Sequence, residues 1–408
     1  MRIGSAAIRL CTAVILGSSA LPVQAQHGGS AGGGLGARAI GLVTHATPAL
    51  GGESRTEGYV TQPLLMAHAS WWALAAHVIV NLEGWTLERG ELNASVAGEG
   101  YVDRRHPHTY LHEAIAVLRV GGNPLGASIA GGRGFVPFGT DDPMVRPFVK
   151  FPANHHLAQV LERQVVMGAL RAGPALLEVS TFNGDEPTDP ESLGRSERFG
   201  DSWSARATLL PHETVEVQVS FADVESPEHA PGNGLDQRKW SASIRFEAER
   251  RRSDVYALVE WARTAEYNQG RKVFVFQSFL GEGAVSRGAT TAALRIERTT
   301  RPEEERLPDP FRAVRPHTDS NIIGVTRWHI ASLRLDHQLV VGVRVTPFAE
   351  AAVLNVEEIT GSIFEPDAFY GGSTMWSLSV GARLEAGRRH ARAGRYGVAL
   401  SSVQDEHR

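Results

Sequence analysis

From Gly58 to about Glu385 the chain alternates polar and apolar residues, in segments of about ten residues. Successive side chains of a β-strand point to opposite faces, so each segment reads as a strand with one dry face and one wet face. In Trp72 to Glu83 the dry face is Trp72, Leu74, Ala76, Val78, Val80 and Leu82. Val215, Val217, Val219 and Phe221 oppose Glu216, Gln218 and Ser220. In Lys239 to Ala248, Trp240, Ala242, Ile244 and Phe246 oppose Ser241, Ser243, Arg245 and Glu247. In Trp376 to Glu385, Trp376, Leu378, Val380, Ala382 and Leu384 oppose Ser377, Ser379, Arg383 and Glu385. Tyr59 to Ala67 is another strand, and the short run Ala37 to Val43 reads as the first.

A lipid-out, water-in barrel wall and a soluble sandwich with an apolar interior both produce this alternation. The connections separate them. Short links fall near Gly121-Gly122, Ala172 to Pro174, Pro211 to Glu213, Arg250 to Asp254 and Asp336-His337. Long ones fall at about 84–109, 134–156, 184–201, 224–237, 300–321 and 351–374. Short and long alternate through most of the chain, as in an up-and-down barrel with tight turns at one rim and long loops at the other. A Greek-key sandwich has no reason to keep that rhythm. The predicted fold class is all-β: a transmembrane antiparallel up-and-down β-barrel of about 16 strands, give or take two, over residues 37–387. Residues 26–36 read as a flexible Gly-rich lead-in, and 388–408, with Arg395 to Leu400, as a last strand or a tail.

Composition adds the compartment. Arg2 and Arg9, the apolar run Leu10 to Leu21 and the small residues Val23 and Ala25 form the three parts of a cleaved export signal over residues 1–25. The only cysteine, Cys11, lies inside it, so no disulfide or thiolate site is expected. No later apolar run reaches the roughly 18 residues of a membrane helix, which a barrel does not need. With 41 Lys plus Arg against 45 Asp plus Glu, the balance is mildly acidic and argues against nucleic acid as a partner.

Candidate chemistry concentrates in Ser128 to Arg163, a long Pro- and Gly-punctuated stretch carrying Asp141, Asp142, Arg146, Lys150 and the pair His155-His156. Phe135, Phe138, Phe148 and Phe151 make it too aromatic for a disordered loop. With Ala37 to Val43 as the first strand, it joins the fifth strand to the sixth. Here the sequence resembles the porin families of the Gram-negative outer membrane, whose third long loop folds into the barrel as its constriction. Gly132-Arg133-Gly134-Phe135-Val136-Pro137-Phe138-Gly139 is similar to the Gly-rich strand end and Pro-Phe of phosphate-selective and related substrate-selective porins. Two features depart from that pattern: the terminal Asp-Glu-His-Arg where a Phe is typical, and the absence of a Lys ladder, lysine occurring only at 150, 239 and 272.

The resemblance implies an outer-membrane channel passing small hydrophilic solutes or ions by diffusion, lipid around the wall and a possible homotrimer. It implies a constriction from Arg133, Asp141, Asp142, Arg146, Lys150, His155 and His156, the two acids facing the bases across a water-filled passage. Two alternatives are a non-conducting receptor barrel for a ligand or metal and a secreted soluble β protein. His106, His108 and His112, with Asp103 or Glu113, are weak metal candidates: imidazoles two residues apart in a loop can share an ion. Their spacing fits no zinc pattern, and plain surface or lumen histidines are the expected account. No cofactor is expected. No Gly-x-Ser-x-Gly elbow, His-Glu-x-x-His or phosphate loop is present, so no catalytic residue is assigned.

Overall fold

The structure is a computed structural model that describes residues 32–48, 53–86, 108–187, 190–228, 231–250, 253–304, 322–359, 365–387 and 394–399. The export signal, most of the lead-in, His106 and Asp103 lie outside the described residues.

The strands are β1 (Gly32–Thr47), β2 (Arg55–Trp71), β3 (Leu74–Asn81), β4 (Leu111–Gly121), β5 (Leu125–Gly134) and β6 (Arg163–Ala172). They continue as β7 (Ala175–Phe182), β8 (Ser202–His212), β9 (Val215–Val224), β10 (Asp236–Arg250), β11 (Ser253–Asn268) and β12 (Arg271–Arg287). The last are β13 (Thr290–Glu304), β14 (Ile322–His337), the three-residue β15 (Leu339–Val341), β16 (Val343–Glu358) and β17 (Thr374–Gly387). Every pairing is antiparallel, β14 pairs directly with β16, and β1 pairs with β17 from Gly36↔Gly387 to Thr47↔Trp376. The wall is therefore a closed barrel of 16 strands, with β15 confined to a turn. Closure leaves no unpaired sheet edge, the condition for a sheet to cross a bilayer.

The polarity of the wall runs inside out. Leu170, Leu177, Val219, Ile244, Val259, Ile296, Leu333, Val353 and Val380 are exposed on the outer face. Arg206, Gln218, Glu260, Arg295, Arg334, Ser377 and Ser379 are buried on the inner one. The predicted faces of β9, β10 and β17 appear as read: Val219 is 55% exposed beside Gln218 at 1%, and Val380 is 50% exposed beside Ser379 at 0%. A soluble sandwich would bury the first set and expose the second. Trp203, Phe221 and Trp240 form a row of tilted and edge-to-face rings, with centroids 5.2 and 5.4 Å apart, near the long-loop ends of β8, β9 and β10. That is where amphipathic rings sit at a membrane–water interface.

Several boundaries differ from expectation, among them the strand read over Trp72 to Glu83, which runs only from Leu74 to Asn81, with Trp72-Ala73 forming the turn from β2 and Glu83 starting a short helix. β1 begins at Gly32 rather than Ala37, because Gly32–Gly36 pair with Met66–Ser70 of β2 and backbone pairing needs no side chain. Asn268 and Arg271 are joined at the long-loop rim by Gln269-Gly270, both at positive φ (48° and 79°), a tight turn that breaks the long–short rhythm. At the end of the chain, Gly397–Ala399 is a 3₁₀ turn and not a strand. β17 is already paired on both sides, with β16 and β1, so the wall has no edge left to accept another strand.

Candidate functional site

The segment 135–162 joins β5 to β6, as the strand order predicted, and it folds into the barrel. Its apolar residues anchor it at five places on the inner wall, one of them Ala153 against Trp328. Phe135, Val136, Phe138 and Val160 pack with Met167, Phe182 and Val224. Met144 and Phe151 pack with Leu64 and Ile79, Val149 with Ile40 and Phe348, and Leu157 with Ala262 and Phe276. Phe148 lies under the Arg295 guanidinium, 4.3 Å from the ring centroid.

Polar wall residues then satisfy the backbone of the loop. Arg38 donates to the Met144 carbonyl at 2.6 Å, and Ser220 accepts from the Gly139 N–H at 2.9 Å. Arg295 donates to the Lys150 carbonyl at 2.8 Å, and Lys239 to that of His156 at 2.9 Å. Glu350 accepts from the Val149 and Lys150 N–H groups at 3.0 and 3.2 Å, and Glu297 from that of Ala153 at 2.7 Å. A loop away from water must find partners for its backbone groups, and here the lumen wall supplies them.

The predicted charged residues are brought inside, and several of them find partners on the wall. Arg146 Nη2 lies 3.1 Å from Glu260 and its Nε 3.9 Å from Glu282. Glu260 also accepts from Asn154 at 2.9 Å and from Thr140. Asp141 pairs with Arg245 and lies 3.6 Å from Arg395. Asp142 caps the turn Pro143–Val145 by accepting from the Met144 N–H at 2.8 Å. Arg133, on β5, donates to the Leu111 carbonyl and the Thr109 hydroxyl at 2.8 and 3.0 Å. Arg146 and Asp141 thus meet charges of the wall and of residues 394–399, while Asp142 caps its own turn and Lys150 makes no hydrogen bond. The physical reason is burial: these side chains are nearly inaccessible, and a desolvated charge needs a direct counter-charge. Lys150 is the one loop cation whose head group makes no hydrogen bond, among the described residues. Burial depresses its pKa to about 8, the charges of Glu297 and Glu350 recovering only part of that loss.

Two further groups of residues were not assigned from the sequence. Residues 394–399 lie inside the barrel, against the inner faces of β4 to β9. Arg395 donates to Glu216 at 2.7 Å, to Thr208 at 3.2 Å, to Glu178 at 3.4 Å and to Gln218. Arg206 holds Glu178 through two hydrogen bonds of 2.6 Å and donates to the Gly394 carbonyl at 3.0 Å. The Tyr396 hydroxyl donates to Glu113 at 2.7 Å and accepts from the Phe135 N–H at 3.2 Å, joining this segment to the loop. Val398 and Ala399 cover Ala169 and Leu176. Glu113, weighed as an oxygen ligand, is taken up by this contact.

The second group is Glu162, which meets His108 and His112. His112 Nδ1 is 2.5 Å and His108 Nδ1 3.2 Å from Glu162 Oε1, and the Thr109 N–H donates to the same carboxylate. Burial opposes ionisation of Glu162, yet the hydrogen bonds and charges of the two histidines hold its carboxyl far below the usual carboxylate range. The rings of His155 and His156 are in tilted contact, centroids 4.0 Å apart, across Phe151 from His108.

No protein-family model and no curated protein sequence matches the chain. Solved structures do. An anion-selective porin from Comamonas acidovorans superposes with a TM-score of 0.55 at 12% identity, over 87% of this chain and 100% of that one. The in-vitro-folded trimer form of OmpT, an outer membrane protein of Vibrio cholerae, gives 0.49 at 10% identity, over 87% and 99%. At this identity the first likeness establishes the fold, a porin-like 16-stranded barrel. With its apolar outer wall, such a barrel resides in an outer membrane.

Proposed function

We propose that this protein is an outer-membrane channel through which small hydrophilic solutes or ions diffuse, narrowed by the loop 135–162 and by residues 394–399. The observation that carries the reading is the inward loop itself. The segment is seated on Arg38, Ser220, Lys239, Glu260, Arg295, Glu297 and Glu350, and its charges would set the field that a permeating ion meets. Arg146 and Lys150 carry the positive side of that field, and Asp141 and Asp142 the negative side. The reading involves no catalytic residue, and it includes a homotrimer as the assembly to be tested by cross-linking in mild detergent.

One observation favours a second reading, a non-conducting binding barrel: the segment 394–399 fills the space between the loop and β4–β9. Planar bilayers decide between the two. Steady single-channel steps from refolded protein support the channel; a barrel that shows heat-modifiable gel migration yet remains electrically silent overturns it.

A further inference from the structure

We propose that His108, His112 and Glu162 form a binding site for a divalent transition-metal ion, of the kind that imidazole and carboxylate ligands favour. The three residues come from three places, the approach to β4, its second residue and the last residue before β6, and their ligand atoms all lie within 4.8 Å of one another. Both histidines turn Nδ1 toward Glu162.

The outer nitrogens carry the argument further. His112 Nε2 faces Asp142 Oδ2 at 3.6 Å, and His108 Nε2 faces Glu83 Oε2 at 4.0 Å. Each imidazole thus has one nitrogen toward the shared carboxylate and the other toward a carboxylate of its own. A metal-ligating histidine is oriented in this way, its second N–H directed at a carboxylate that fixes the tautomer. His112 Nε2 and Asp142 Oδ2 are both buried and make no hydrogen bond. A neutral histidine bound through Nδ1 would place its remaining proton between them. A salt-bridged histidine needs one carboxylate. Here three carboxylates, those of Glu162, Asp142 and Glu83, face the two imidazoles.

Glu162 is also held at φ 56°, a left-handed conformation that a glutamate rarely adopts and that aims its side chain at the two rings. Beside the site lies a cavity of about 40 Å³, larger than one water needs, lined by His108, Glu162, His155, His156 and Glu186.

The test is titration of the refolded barrel with Co²⁺ and Zn²⁺, followed by calorimetry and by the visible absorption of bound Co²⁺. One ion per barrel, displaced from Co²⁺ to Zn²⁺, is expected. His108→Asn should weaken binding at least tenfold, and so should Glu162→Gln, while heat-modifiable migration stays that of the wild type. Because Glu162 is buried, His108→Asn, the more accessible change, keeps the test valid if Glu162→Gln misfolds. No saturable binding to the wild type overturns the proposal. So does binding that survives His108→Asn and His112→Asn in folded barrels, since the ion would then sit on other histidines.

Discussion

The charge pair Arg146–Glu260 is the most direct handle on whether the loop 135–162 is held in place by its lumen contacts. Both side chains are almost completely buried, at 3% and 0% exposure. Removing one partner of such a pair leaves the other desolvated and unpaired, at about 3–5 kcal/mol. Glu282 lies 3.9 Å from Arg146 and is itself engaged by Arg295 at 2.8 Å, so it compensates only in part. The lower end, about 3 kcal/mol, is therefore expected for Glu260→Gln. At 1.4 kcal/mol per factor of ten, the ratio of seated to released loop falls roughly 100-fold. Ala153→Cys reports it in a Cys11→Ser background. Ala153 is buried against Trp328 and Tyr370, so its thiol reacts with a water-soluble reagent only when the loop lifts, at a rate that follows the opening equilibrium. Glu260→Gln should accelerate labelling roughly 100-fold with the wall intact by gel migration. Adding Arg146→Gln should restore most of the protection, because no buried charge is then left unpaired. A labelling rate unchanged by Glu260→Gln would show that this pair does not hold the loop.

Three other perturbations probe the lumen. Neutralising Arg146 and Lys150 together, as Gln, should shift reversal potentials in a salt gradient toward cations; unchanged potentials would remove these residues from the conducting path. Lys150, with its pKa lowered from 10.5 to about 8, should lose its proton as the pH passes 8, so cation preference should rise there in the wild type and not in Lys150→Met. The sign for stability follows: between about 8 and 10.5 the unfolded chain binds the proton that the folded chain has released, so stability rises with pH over that window. A midpoint of chemical unfolding with the same pH slope in Lys150→Met would refute it. Deleting residues 388–408 should enlarge the single-channel step by clearing Arg395 and Tyr396 from the wall, and equal step sizes would mean that the segment does not narrow the passage.

What the sequence made legible is what a local period encodes. Val219 beside Gln218 and Val380 beside Ser379 reveal their faces because neighbouring residues of a strand must point in opposite directions. Strand count and the address of the loop follow from that period and the length of each connection. The partners inside the barrel obey no period. Arg146 meets Glu260 across 114 residues, and Arg395 meets Glu216 across 179. Which acid receives which base is decided by barrel closure and by which side chains the inward loop buries. The sequence shows a loop with two acids and two bases; the wall adds Arg245, Glu260 and Glu282, and the segment 394–399 adds Arg395.

The histidines make the same point in the other direction. His108 and His112 taken alone have no zinc spacing and carry little weight. What gives them weight is Glu162, 50 residues beyond His112, in a conformation no pattern announces, together with Asp142 and Glu83 behind the two rings. The same aromatic loop that resembles a pore constriction thus also brings the third ligand to the approach of β4. Release of the loop should therefore open both the passage and the site. If the ion bridges the loop to β4, bound Zn²⁺ should slow thiol labelling at Ala153→Cys in the Glu260→Gln background, and should have no such effect once His108→Asn is added. Labelling that ignores Zn²⁺ would separate the two, leaving a metal site that does not hold the loop.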